Sequence, residues 1–216
     1  MKVEGNHSSA KTFGTSNSDA EASIATLSEL GVLVQDVVRA VVDNSQKVLV
    51  TEEVFGRSRM INISVAPNDV GRVIGCRGEV IDAIRTLMDA AHTVKGIRNV
   101  TLNLDDRREG ARTRSTRSQS VAPLEALEPV RQLLLRLVKA VVDLPDEADI
   151  QMTCGTDIVL LEASVARAAI RQIIGRHGKH AEALRVLSRA MAGKLGRHIV
   201  FHIIEPAGSE GQGVAA

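Results

Sequence analysis

Displaced by 100 residues, this chain matches itself. Positions 36–104 align with 136–204 without a gap, and seventeen of the 69 pairs are identical. The identities come in runs: Ala40-Val41-Val42-Asp43 recurs as Ala140-Val141-Val142-Asp143, and Ser64-Val65-Ala66 as Ser164-Val165-Ala166. Ala83, Arg85, Leu87 and Ala90 recur as Ala183, Arg185, Leu187 and Ala190. A repeat of about 70 residues is too long for a solenoid module and suits a small domain with its own core. The chain is an internal duplication, which bounds the fold to two copies of one compact unit.

Within each copy the hydrophobic period alternates between helix and strand. Leu27, Leu30, Val34, Val37, Val38 and Val41 recur at three- and four-residue spacing, predicting a helix that ends near Asp43. Alternation predicts strands over 47–54 and 60–65, and Pro67 suits the first turn of a short helix running to Ile74. Val80, Ile84, Leu87, Ala91 and Val94 share one face of a long helix over 79–95, with Gly96 as its C-terminal cap and a last strand over 99–104. The second copy predicts helices over 124–143, 167–174 and 179–195 (capped by Gly196), and strands over 148–152, 158–165 and 199–204. The expected fold class is α+β: two tandem units, each a three-stranded sheet packed against three helices.

Composition fits small aliphatic cores. Hydrophobic residues make up 44% of the chain, but its aromatics are three phenylalanines, Phe13, Phe55 and Phe201. A formal net charge of +1 excludes a bulk polycation, so any nucleic-acid contact must come from local charge. Cys76 and Cys154 occupy non-equivalent places in the two copies and do not read as a disulfide framework. No apolar run approaches the ~20 residues that span a bilayer, and residues 1–20 lack a signal-peptide core. A cytoplasmic location without membrane contact is expected.

The short and long helices of each copy are joined by an apolar pair and Gly-x-x-Gly: Val73-Ile74-Gly75-Cys76-Arg77-Gly78, and Ile173-Ile174-Gly175-Arg176-His177-Gly178. Glycines at both ends let such a turn tighten and let phosphates approach the main chain. Loop amides and the N-terminus of the following helix point at an anion, assisted by the helix dipole. Arg77, Arg176 and His177 supply side chains between the glycines, and Val73, Ile74, Ile173 and Ile174 are candidates for an apolar wall against bases. For Ile74 and Ile174, core packing and base contact stand equally open.

The run Val38–Asp43, then Val65-Ala66-Pro67-Asn68-Asp69-Val70-Gly71-Arg72 leading into the first loop, then Ala83-Ile84-Arg85-Thr86-Leu87, resembles the small bacterial single-KH RNA-binding proteins of the KhpA type, with a type II-like KH fold. The second copy resembles the same family more loosely. The resemblance implies single-stranded RNA binding, no catalysis or cofactor, and action as a homodimer or with a partner KH protein. It places RNA contacts at Arg72, Ile74, Gly75, Cys76, Arg77 and Gly78, and at Arg171, Ile174, Gly175, Arg176, His177, Gly178 and Lys179. The family puts a cation directly after the first glycine; Cys76 stands there in the first copy and Glu79 follows the loop, whereas the second carries Arg176 and Lys179. The second copy in turn has Arg167-Ala168-Ala169 where the first has Pro67-Asn68-Asp69. One unit keeps the framework with weakened charge, the other keeps the charge on a drifted framework.

The expected organisation is a disordered segment 1–25, a KH unit 26–105, a connector 106–120, a second KH unit 121–205 and a flexible tail 206–216. Arg107, Arg108, Arg112, Arg114 and Arg117 make the connector either a soluble linker or an arm adding sequence-independent phosphate contacts. No Gly-x-x-x-x-Gly-Lys-[Ser/Thr] or Gly-x-Ser-x-Gly motif is present, so an enzyme is not expected. His180, His198 and His202 lack metal-site spacing. The leading expectation is a post-transcriptional regulator or RNA chaperone. The alternative is a protein-interaction scaffold of degenerate KH units that dimerise or dock a partner.

Overall fold

The computed structural model describes residues 27–55, 58–95, 99–105, 123–155 and 158–204. The segments 1–25, 106–120 and 206–216, the cap expected at Gly96 and the five connector arginines lie outside the described residues.

The first unit runs α1 (Glu29–Val41), β1 (Leu49–Phe55), β2 (Ser58–Ser64), α2 (Val70–Ile74), α3 (Glu79–Lys95) and β3 (Asn99–Leu104). The second repeats it as α4 (Glu128–Val141), β4 (Asp149–Cys154), β5 (Ile158–Ser164), α5 (Ile170–Ile174), α6 (Lys179–Leu195) and β6 (His198–Ile204). Each sheet places its hairpin strands antiparallel and its last strand parallel to the middle one, in the orders β1-β2-β3 and β4-β5-β6. The parallel pairing follows from the long crossover through two helices, which returns the chain to the same end of the sheet. The α+β class and the three-helix, three-strand unit read from the sequence are both present.

Several boundaries differ from the expectation for local reasons. A 3₁₀ turn over Ser45–Lys47 delays β1 to Leu49. The Asp69 amide donates to the Ala66 carbonyl at 2.8 Å and closes a turn over Pro67 and Asn68, so α2 starts at Val70 rather than at the proline. A 3₁₀ turn over Arg167–Ala169 likewise precedes α5, and another over Leu124–Leu127 precedes α4. Pro129 then sits in the first turn of α4, where its missing donor leaves nothing unpaired.

Helices cover one face of each sheet. Val50, Ile61, Ile63 and Leu102 point into the core, while Leu49, Thr51, Thr101 and Asn103 face out. The start of α1 is fixed twice over. The Ser28 hydroxyl accepts the Gly31 amide at 3.2 Å, and buried Glu52 of β1 accepts the Ser28 amide at 2.9 Å. Burial opposes ionisation of Glu52, but hydrogen bonds from Arg59 and Ser28 outweigh it and hold the carboxyl below the usual glutamate range.

The two units pack against each other into one continuous core, α3 against α6 and α1 against α4 and α6. The Asp36 carboxylate meets the Arg136 guanidinium at 2.5 Å. These positions are equivalent in the two copies, so their contact marks a pseudo-two-fold axis. Ala83, Leu87, Ala90 and Val94 lie on one side of α3, at helical spacing. Three of these four are identical in α6, as Ala183, Leu187 and Ala190.

Candidate nucleic-acid interface

Both Gly-x-x-Gly segments form the same 3₁₀ turn, Cys76–Gly78 and Arg176–Gly178, wedged between a five-residue and a 17-residue helix. The first glycines are extended with positive φ (Gly75 φ 78, ψ −179; Gly175 φ 72, ψ 172), a region open to glycine alone. Space forbids a side chain there as well. A Cβ on Gly75 would lie 2.5 Å from Val80 Cγ2, and one on Gly175 would lie 2.4 Å from His180 Cγ. The second glycines also have positive φ, but a Cβ on Gly178 would meet nothing within 4 Å. The first glycine is thus required by sterics and conformation, the second by conformation alone.

Between the glycines, Arg77 (φ 54) and His177 (φ 56) sit in the left-handed region, which costs a non-glycine residue about 1–2 kcal/mol. They are the only non-glycine residues with positive φ among those described. The turn holds these side chains outward, and Cys76, Arg77, Arg176 and His177 are all exposed. The loop amides are not all free for an anion. Those of Gly75, Gly78 and Glu79 donate inside the turn to Gly71, Gly75 and Cys76, and the second copy repeats the pattern.

The apolar pair divides its work. Val73 and Ile173 are core residues, so they do not form the base-facing wall expected of them. Ile174 is 39% exposed and Ile74 partly so, and these two border the loop. Arg171 and Lys179 are exposed. Arg72 pairs with Asp43 at 2.6 Å, so a residue expected to meet phosphate also buttresses the fold.

The anchor of the loop's base was missed by the sequence reading. The buried Asp69 carboxylate accepts the Asp43 amide at 3.1 Å, the Asn44 amide at 3.0 Å and the Asn44 side-chain amide at 2.9 Å. This ties the turn after α1 to the start of α2. The second copy has Ala169 there. It anchors the same turn through Gln172, which accepts the Asp143 amide at 3.0 Å and donates to the Asp143 carboxylate. The identity of Asp43 and Asp143 was the one available signal.

Each unit also reaches toward the other's loop, unequally. Lys194 at the end of α6 donates to the Arg39 carbonyl at 2.8 Å, near the C-terminus of α1, where the helix dipole favours a cation. Burial pushes its ammonium below the usual lysine range, while Asp43 and Asp69 draw it back up and Arg72 opposes them. The equivalent residue in α3 is Val94. Here a cleft of about 610 Å³ lies open between α3 and the second loop, with Thr86, Asp89 and Thr93 on one wall and Arg176, Lys179 and His180 on the other. His180 Nδ1 lies 2.6 Å from the Gln172 carbonyl oxygen, which fixes its ring against Gly175. No helix among the described residues is long and apolar enough to cross a membrane.

A helix–Gly-x-x-Gly–helix unit on a three-stranded sheet, with middle and last strands parallel and built twice, defines a tandem KH-domain protein. The chain matches the family described as KhpA/KhpB, KH domain, over residues 32–104 and again over 131–203. The RNA-binding protein KhpA of Caldanaerobacter subterraneus subsp. tengcongensis is 45% identical over 62 residues, which are 29% of this chain and 83% of the relative. That of Clostridium acetobutylicum is 35% identical over 75 residues, 35% of this chain and 100% of the relative. That of Halalkalibacterium halodurans is 40% identical over 74 residues, 34% of this chain and 96% of the relative. The chain belongs to the KhpA/KhpB KH-domain family, here as a tandem duplication.

Proposed function

We propose that the chain is a single-stranded RNA-binding protein that holds the phosphate backbone at two Gly-x-x-Gly loops. The observation that carries the reading is the pair of strained left-handed residues, Arg77 and His177, each at the N-terminal end of a 17-residue helix. Strain at an exposed turn is retained where the surroundings over-determine it, and such sites cluster where ligands are held. In each loop a phosphate approaches the glycine backbone and the positive end of α3 or α6. Arg77 serves the first site, and Arg176, His177 and Lys179 the second. Ile74 and Ile174 give the neighbouring bases an apolar surface. The curated relatives carry RNA binding in their names, which supports the same activity here.

The first loop replaces a cation with Cys76 and is followed by Glu79, so the second clamp is the stronger. The connector arginines 107, 108, 112, 114 and 117 add phosphate contacts without sequence selectivity. The pairing of α3 with α6 supplies within one chain the partner that the resemblance implies for a single-KH protein. The cellular role consistent with this is a cytoplasmic regulator or chaperone of transcripts, with no chemical step.

The test is charge reversal at the loops. Arg77→Asp, and Arg176→Asp with His177→Asp, leave the core untouched and should each cost about 1–3 kcal/mol of binding to short single-stranded RNA by fluorescence anisotropy. The loss should be larger for the second loop. Wild-type affinity in both variants, with unchanged circular dichroism, would remove the clamps from the function.

A further inference from the structure

The cleft between α3 and the second loop belongs to neither unit alone. One wall carries Arg176 and Lys179 beside the clamp, and the opposite wall, contributed by the first unit, carries the exposed carboxylate of Asp89. Cation and acceptor thus face each other across about 610 Å³, room enough for a nucleotide. Several other polar groups lining the cleft already have partners, His180 Nδ1 among them, 2.6 Å from the Gln172 carbonyl oxygen. Gln172 and Asp143 bond each other, and the Thr86 and Thr93 hydroxyls donate to the carbonyls of Asp82 and Asp89. The pseudo-symmetric place beside the first loop has different chemistry. Arg189 stands where Asp89 does and pairs with Glu182 at 3.0 Å, and Lys194 reaches over to Arg39 where Val94 leaves the cleft open.

We infer that this cleft takes one nucleotide of the strand held by the second clamp, and that Asp89 selects guanine there. The inference rests on the RNA-binding reading above. Guanine presents two adjacent donors, N1–H and the N2 amino group, on its Watson–Crick edge, and a carboxylate can accept both. Adenine places an acceptor beside its amino donor, and uracil has a single donor between two acceptors. Arg176 and Lys179 hold a phosphate of the same nucleotide, which sets its base toward α3. The first unit thereby contributes a specificity-determining residue to the second unit's site.

The experiment uses the full chain and three short oligouridines: one unaltered, one with a single central guanosine, one with a central adenosine. Anisotropy titrations should show the guanosine RNA bound about fivefold or more tighter than the other two, the low end for one bidentate contact to a base edge. Asp89→Asn, an exposed substitution, should bring the three affinities within about twofold while leaving oligouridine binding intact. Arg189→Gln, at the pseudo-symmetric position, should preserve the preference. No guanosine preference in the wild type, or a preference that survives Asp89→Asn, overturns the inference while leaving the clamps standing. Absence of any oligouridine binding overturns the clamp reading and this inference with it.

Discussion

Replacing Gly175 by Ala separates the two reasons a glycine is needed at the head of the second loop. At φ 72, ψ 172 an alanine pays about 1–3 kcal/mol for a conformation that is essentially glycine's own. Its Cβ would also lie 2.4 Å from His180 Cγ and 2.6 Å from Nδ1. The imidazole cannot swing aside freely, because Nδ1 lies 2.6 Å from the Gln172 carbonyl oxygen. Forcing it out adds about 1–3 kcal/mol of overpacking. The expected loss is therefore about 4 kcal/mol, a large share of the stability of a chain this size. Gly178→Ala has positive φ but open space, and should cost only about 1–2 kcal/mol. Urea denaturation followed by circular dichroism measures both. The double variant Gly175→Ala with His180→Ala removes the steric part, and its additional loss beyond His180→Ala alone should fall to about 2 kcal/mol. Equal midpoints for Gly175→Ala and Gly178→Ala, or no relief from the second substitution, would refute this account of the loop.

Arg77→Gly and His177→Gly relieve left-handed strain, so each should raise stability by up to about 1 kcal/mol while weakening RNA binding, an opposition that denaturation and anisotropy read on the same samples. Glu52 has a folded pKa below its ordinary value of 4.5, so its contribution is fully present above that value and is lost as pH falls below it toward the folded one. Glu52→Gln should accordingly cost about 1–2 kcal/mol near neutral pH, and the gap from wild type should close on acidification; a gap that widens below pH 4.5 would contradict the sign.

The duplication, the unit's element order and the position of both loops were legible because each rests on local pattern: a fixed offset, a period of 3.6 or 2, and paired glycines. Errors at the element starts came from short 3₁₀ turns, which have no period of their own and are closed by single bonds such as Asp69 amide to Ala66 carbonyl. The division between Val73 and Ile74, one buried and one at the surface, depends on which face of a five-residue helix meets the core, and five residues show no stable moment. Asp69 directly precedes α2, yet its carboxylate serves a turn 25 and 26 residues away, a pairing no local pattern reveals. The cleft at Asp89 was not legible at all. On its own helix Asp89 is one of several exposed polar residues, and only the packing of α3 against the other unit puts it across from Arg176.

That packing also accounts for how far the two copies differ. Two identical subunits related by a two-fold axis carry the same side chain at both equivalent places. A cation reaching over to Arg39 would then have to appear on both sides and crowd both clefts. With the units joined in one chain, position 94 can be Val while position 194 is Lys. Lys194 then sits over the first loop's acidic base, among Asp43 and Asp69, and the cleft beside the second loop stays open. The same freedom lets Asp69 anchor one turn and Gln172 the other, each sufficient for its own copy. Among the residues the duplication retains on both sides are Ala83, Leu87 and Ala90 with Ala183, Leu187 and Ala190, one stripe on each of the two helices that pack together. Asp89 against Arg189 and Val94 against Lys194 are among the residues that differ, and nothing in the packing requires the two sites to hold the same nucleotide.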